Sequence, residues 1–137
     1  MSRFVVDASV ALAWCFPDED APVAHTVATM LRHGDTALVT TFWPHEVVNA
    51  LLVGEKRRRI SASLAATFLS ELSALPIVIV PCSTVEVFSR IQLLAREYGL
   101  TPYDAAYLDL AKVNGLPLAT LDDDLIRASG KAGVALL

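Results

Sequence analysis

Short apolar runs alternate along this chain with longer segments in which apolar and polar residues recur at helical spacing. The apolar runs lack a strict apolar–polar alternation, which is typical of strands buried on both faces of a sheet. Such strands are predicted at residues 4–6, 37–40, 77–80 and 118–120, with 134–136 as a candidate last edge strand. The intervening segments predict helices at 8–16, 21–32, 43–56, 61–72, 84–98, 101–113 and 122–128.

Residues that start and stop helices support these boundaries. Pro44 lies in a first turn, Ser61 is placed to cap the next helix, and Gly99 follows a helix end. Because strands alternate with helices, we predict an α/β fold: a doubly wound, mainly parallel sheet of four to five strands with helices on both faces. The 137 residues contain no repeat or linker, so a single domain over residues 1–137 is expected.

The composition is apolar for a chain of this size. Residues classed as hydrophobic make up 54%, and the mean hydropathy is +0.49. Either the core is large, or apolar surface is left for a partner. No run reaches the roughly 18 consecutive apolar residues of a membrane span, and Asp7 interrupts the first apolar run. We therefore expect a cytosolic protein with no membrane segment.

The net charge of −4 argues against broad electrostatic binding of nucleic acid. The one basic cluster is Lys56, Arg57, Arg58 and Arg59, at the end of a predicted helix. It either caps that helix in solvent or forms a local contact site for nucleic-acid phosphates. Cys15 and Cys82 have no metal or redox spacing, so both are predicted to be buried, reduced thiols.

Four carboxylates occur where predicted strands end or helices begin. Asp7 ends the first strand, Asp122 follows the strand at 118–120, and Glu46 and Asp104 lie in first turns of helices. Each one alone is also explained by capping or by the helix dipole. In open α/β sheets, however, ligands bind at the carboxyl ends of the strands, and a doubly wound fold would bring all four acids to that edge.

Carboxylates gathered at one edge repel one another unless a cation or a proton relieves the repulsion. Oxygen ligands of this kind suit Mg²⁺ or Mn²⁺ and not Zn²⁺. The three histidines, His25, His33 and His45, have no ligand spacing and are interpreted as surface residues. The residues alone therefore indicate a divalent-cation site formed by acids.

Several segments, taken in order, resemble PIN domains and in particular the VapC-type toxins. They are FVVDASV (4–10), ALAW (11–14) with PDE (17–19), PHEVVNAL (44–51), TPYDAAY (101–107) and LATLD (118–122). Each segment alone is a weak signal, but the ordered set spans nearly the whole chain and is specific.

The resemblance implies a metal-dependent endoribonuclease that hydrolyses RNA phosphodiester bonds with water activated by one or two Mg²⁺ or Mn²⁺ ions. It implies metal ligation by Asp7, Glu46, Asp104 and Asp122, with Asp124 as a fifth candidate, and which of Asp122, Asp123 and Asp124 points inward stays open. Ser9 and Thr120 match positions that hydrogen-bond around the acids. Asn49, one helical turn from Glu46, is a candidate to support that residue.

The resemblance also implies a cognate antitoxin as partner and a homodimer. Trp14, Phe16, Phe42 and Trp43 are candidate partner contacts, although core packing is the preferred interpretation for most of them. A PIN-like module that binds RNA or protein without cutting is the main alternative, and retention of all four acids argues against it. A phosphoacceptor domain and a haloacid-dehalogenase-type phosphatase are disfavoured, because the second acid that each needs near Asp7 is absent. In the phosphatase, the position of that acid corresponds to Ser9 of this chain.

Overall fold

The computed structural model describes all 137 residues. The strands are β1 (Arg3–Val6), β2 (Thr36–Val39), β3 (Ile77–Ile79) and β4 (Leu118–Ala119). The helices are α1 (Ala8–Cys15), α2 (Pro22–Arg32), α3 (Trp43–Lys56), α4 (Ala62–Ser73), α5 (Thr84–Glu86), α6 (Gln92–Tyr98), α7 (Pro102–Asn114) and α8 (Asp123–Ala132). A 3₁₀ turn (Pro17–Glu19) follows α1, and a π-helical segment (Val87–Ile91) joins α5 to α6.

All strand pairs are parallel, and the strand order is β3-β2-β1-β4. This confirms the predicted α/β fold with a parallel sheet. The proposed fifth strand at 134–136 is reduced to a single bridge between Leu118 and Leu136. Strand β1 pairs with both β2 and β4, and its Phe4, Val5 and Val6 are at most 1% exposed.

In helix α3, the apolar residues of the sequence pattern form the face that packs against the core. Trp43, Val47 and Leu51 recur every four residues, and all three are buried in the core. Phe16 is also buried, so core packing accounts for it and for Trp43. Trp14 is partly buried and donates its indole N–H to the Ala24 carbonyl at 2.8 Å. Of the four aromatic candidates for partner contact, Phe42 alone is largely exposed.

Two sequence predictions of burial were wrong. Strand β3 lies at the edge of the sheet, and its Val78 and Ile79 side chains are about half exposed. An apolar β-branched run predicts a strand but does not reveal whether helices cover both of its faces. Cys82, just beyond this strand, is exposed, while Cys15 is partly buried.

The helix predicted at 84–98 is interrupted by the π-helical segment, which shifts the side chains that follow it. Within this segment, Arg90 forms a bidentate ion pair with the buried Asp109 of α7, at 2.5 and 3.0 Å. Helix α8 runs four residues further than predicted and ends at Gly133, which has a positive φ of 75°. None of the helices is both long and apolar enough to cross a lipid bilayer.

Candidate active site

Asp7 lies at the carboxyl end of the central strand and is 5% exposed. One carboxylate oxygen, Oδ1, accepts a hydrogen bond from Ser9 Oγ at 2.5 Å. The other, Oδ2, accepts from Thr120 Oγ1 at 2.6 Å, so the end of β4 is joined to the end of β1. Ser9 and Thr120, which the resemblance implied would hydrogen-bond around the acids, thus both donate to Asp7.

The two hydroxyls are themselves oriented by backbone N–H groups. Ser9 Oγ accepts from the Leu121 N–H at 2.9 Å, and Thr120 Oγ1 accepts from the Asp122 N–H at 3.0 Å. Each hydroxyl thus has an acceptor site occupied by backbone and directs its own proton to Asp7. The arrangement fixes the orientation of the Asp7 carboxylate without supplying a positive charge.

The pKa of Asp7 is raised from 3.8 to about 6. Burial is the largest cause, because it disfavours the charged form, and the negative charge of Asp104 adds to it. The hydrogen bonds from Ser9 and Thr120 oppose the rise but do not cancel it. Asp7 is therefore a buried acid whose charge the protein itself compensates only in part.

Glu46 and Asp104 lie in the first turns of α3 and α7 and are both partly buried. The Asp104 N–H donates to its helix cap, Thr101 Oγ1, at 3.1 Å. Burial raises the pKa of Asp104, and Asp122 and Asp124 raise it further. Burial also raises the pKa of Glu46, and Asp104 adds to this rise. The predicted acids therefore form one electrostatic cluster.

The structure separates the three consecutive acids at the start of α8. Asp122 caps this helix, with Oδ1 accepting from the Leu125 N–H at 2.9 Å, and it remains partly buried. Asp124 is more exposed and pairs with Arg127 at 2.8 Å. Both raise the pKa of Asp104, whereas Asp123 is exposed and is not among the charges that do so.

Two groups of predicted residues lie outside the cluster. Asn49 is exposed and makes no side-chain hydrogen bond with Glu46. The basic run begins at the far end of α3, about 15 Å along the helix axis from Glu46. Arg59 is engaged there, because it bonds Asp18 at 2.7 Å and Glu19 at 3.1 Å. Lys56, Arg57 and Arg58 are exposed.

Sequence reasoning missed two polar residues near the acids, Thr40 and Tyr107. Tyr107 is fully buried on α7, and its hydroxyl donates to Glu46 Oε1 at 2.7 Å. Burial and the nearby Glu46 raise the pKa of Tyr107 above its ordinary value of 10, while a hydrogen bond from buried Thr40 opposes the rise. The sequence signal that could have identified Tyr107 is its spacing from Asp104, because residues three positions apart on a helix lie on the same face.

The donor set fits a hard divalent cation. It consists of carboxylates, and no basic side chain lowers the pKa of Asp7, Glu46 or Asp104. No three His, Cys, Asp or Glu side chains are arranged so that they alone could hold an ion. Mg²⁺ commonly binds through one or two carboxylates together with water and substrate phosphate, so a closed protein cage is not required.

A family model for the PIN domain matches residues 4–131. The chain belongs to the PIN-domain family. Its relatives include Ribonuclease VapC3 of Pyrobaculum aerophilum, which is 32% identical over 123 residues, covering 90% of this chain and 92% of the relative.

Solved structures share the fold of this PIN domain. PAE2754 from Pyrobaculum aerophilum gives a TM-score of 0.72 at 24% identity, covering 93% of this chain and 79% of that chain. A toxin–antitoxin complex from Klebsiella pneumoniae gives 0.61 at 20% identity, covering 96% and 95%. VapBC2 from Rickettsia felis, bound to a DNA fragment from its promoter, gives 0.65 at 11% identity, covering 100% and 98%.

Proposed function

We propose that this PIN domain is an endoribonuclease, acting in the cytosol as the toxin of a toxin–antitoxin pair. The observation that supports this most directly is the cluster of Asp7, Glu46, Asp104 and Asp122 at the carboxyl edge of the parallel sheet. The charge of Asp104 raises the pKa of Asp7 and of Glu46, the charge of Asp122 raises that of Asp104, and no basic group lowers the pKa of these three acids. The relative named as a ribonuclease, similar over nine-tenths of the chain, supports the same activity.

We propose that one or two Mg²⁺ or Mn²⁺ ions act at this cluster, with Asp7 and Asp104 as principal ligands. Glu46 and Asp122 complete the ligand set, and Asp124 is a further candidate. A divalent cation bound there would lower the pKa of a water molecule and offset negative charge on the phosphate. The overall reaction is hydrolysis: water forms a new P–O bond, and the displaced ribose oxygen takes up a proton.

The chain's own residues supply orientation for this reaction. Ser9 and Thr120 hold Asp7 by hydrogen bonds to its two oxygens, and Thr120 also accepts from the backbone that leads into Asp122. Exposed Lys56, Arg57 and Arg58 remain candidates for RNA phosphate contacts distant from the acids. Arg59 is less available for this role, because it is engaged with Asp18 and Glu19.

The protein partners are proposed on separate grounds. The neighbour from Klebsiella pneumoniae is a toxin–antitoxin complex, which supports an antitoxin partner. A homodimer is supported by exposed apolar side chains: Val85 and Phe88 are about three-quarters exposed, and Phe88 lines a cleft of about 530 Å³. Light scattering after size-exclusion chromatography at micromolar concentration should give a dimer mass, and a monomer alone would contradict it.

The test of the nuclease is cleavage of end-labelled RNA by purified protein in Mg²⁺, Mn²⁺ or EDTA. We expect discrete fragments that require metal and that are absent with Asp7→Asn and with Asp104→Asn. Asp123→Asn is the matched control, because it removes an exposed neighbouring charge and should leave cleavage unchanged. RNA binding by folded protein without cleavage in any metal would instead favour the non-catalytic binding module.

The proposed RNA contacts of the basic run are tested by a different measurement. A variant with alanine at Arg57 and Arg58 should bind RNA more weakly, and its affinity should depend less steeply on salt concentration. Cleavage chemistry should persist at saturating RNA, because these residues lie far from the acids. An unchanged affinity and salt slope would assign the run to helix capping alone.

A further inference from the structure

The hydroxyl of Tyr107 is an unusual feature of the core. Tyr107 is 0% exposed, so its hydroxyl is buried. A phenylalanine would fill the same apolar space without burying a polar group. Burial of a hydroxyl is costly unless it forms a hydrogen bond. The hydroxyl donates to Glu46 Oε1, 2.7 Å away and 61 positions distant along the chain, and buried Thr40 is its second hydrogen-bond partner.

This hydrogen bond joins the two helices that each contribute an acid from their first turn. Glu46 is on α3 and Asp104 is on α7, and Tyr107 follows Asp104 by one turn. A glutamate side chain has three rotatable bonds, so the carboxylate of the partly buried Glu46 would otherwise sample several orientations. The buried phenol has no such freedom, because its ring is enclosed by the core.

We propose that Tyr107 is a positioning residue that fixes the Glu46 side chain, so that Oε1 is occupied by the phenol and Oε2 faces the cation or the reacting water. The inference rests on the proposed nuclease function. It differs from a purely structural role because its effect should pass through Glu46. Support of a ligating carboxylate by an outer hydrogen bond typically changes metal affinity or activity about 10- to 100-fold.

The direct test is Tyr107→Phe, which keeps the buried ring and removes only the hydroxyl. We expect kcat for RNA cleavage to fall about 10- to 100-fold while KM changes less than about twofold. We also expect Mn²⁺ to bind about tenfold more weakly, measured by calorimetry without RNA. Tyr98→Phe is the matched control, since its hydroxyl makes no hydrogen bond to the acids, and it should match the wild type in both measurements.

A double-mutant cycle with Glu46→Gln separates positioning from general loss of structure. If Tyr107 acts through Glu46, Tyr107→Phe should have little further effect on kcat or Mn²⁺ affinity in the Glu46→Gln background. Equal losses in both backgrounds would show a structural role and overturn the proposal. Thermal unfolding of every variant confirms that folded protein is compared.

The outcomes also distinguish this inference from the proposed function. If the wild type binds Mn²⁺ but cuts no RNA, the nuclease proposal fails, and the Mn²⁺ titrations of Tyr107→Phe still test the positioning role. Wild-type Mn²⁺ affinity and wild-type kcat in Tyr107→Phe would refute positioning while leaving the nuclease intact. A wild type that neither binds Mn²⁺ nor cuts RNA would refute both.

Discussion

Asp7→Asn is expected to stabilise the metal-free protein at neutral pH even though it abolishes the proposed activity. Asp7 has a pKa of about 6 in the folded protein and an ordinary value of 3.8. A difference of roughly two in pKa, at about 1.4 kcal/mol for each, makes the folded state about 3 kcal/mol less stable when Asp7 is ionised. The asparagine side chain does not pay this cost, because it carries no charge.

The replacement also has an unfavourable part. Ser9 and Thr120 both donate to the carboxylate, and an asparagine amide offers one oxygen and one N–H group in its place. Loss of one such hydrogen bond costs about 1 kcal/mol. The net expectation is a gain of about 1–3 kcal/mol in the free energy of unfolding at pH 8.

The pH dependence gives this prediction its sign. Since the folded pKa is raised, the cost of ionised Asp7 is absent below about pH 3.8, grows between about pH 4 and 6, and is constant above that. Urea unfolding in EDTA should therefore show the stabilisation of Asp7→Asn at pH 8 and not at pH 4. Added Mg²⁺ should stabilise the wild type more than the variant.

A destabilisation of similar size at both pH values would refute the reasoning. It would show that the hydrogen bonds from Ser9 and Thr120 outweigh the cost of burying the charge. Asp123→Asn is again the control, because its exposed carboxylate should give no comparable pH-dependent change.

Three further substitutions test contacts that stabilise the fold. The measurement is urea unfolding, monitored by tryptophan fluorescence. Gly54→Ala should lose about 1 kcal/mol, because a Cβ there would lie 2.8 Å from the Phe16 ring and overpacking exceeds the gain in helix propensity. Arg90→Met should lose about 2–3 kcal/mol, because it leaves the buried Asp109 without its partner. Ser61→Ala should lose about 1 kcal/mol as the α4 cap is removed. Unchanged midpoints would contradict each assignment.

Much of the fold could be predicted from the sequence because its signals are local. Apolar runs without alternation identified the four strands, and Pro44, Ser61 and Gly99 correctly marked helix boundaries. The alternation of strands and helices then indicated a parallel sheet, because the helices supply the crossover connections that parallel strands need. The position of Asp7 directly after a buried strand also identified the edge at which the acids gather.

Other features could not be read from local pattern. The run at 77–80 is as apolar as a central strand, yet β3 lies at the edge of the sheet and its side chains are half exposed. Arg59 belongs to a basic run, but its partners Asp18 and Glu19 are about 40 positions away. Neither strand order nor a distant ion pair leaves a periodic signal in the sequence.

The sequence by itself determined which elements form, their order, and the gathering of acids at the carboxyl edge of a parallel sheet. The tertiary structure decided which acids face one another, how Ser9 and Thr120 orient Asp7, and that Tyr107 holds Glu46 from another helix. The physical reason is the separation along the chain over which each interaction acts. Strand and helix preferences arise from neighbouring residues, whereas burial, raised pKa values and the Tyr107–Glu46 hydrogen bond exist only after distant segments have packed together.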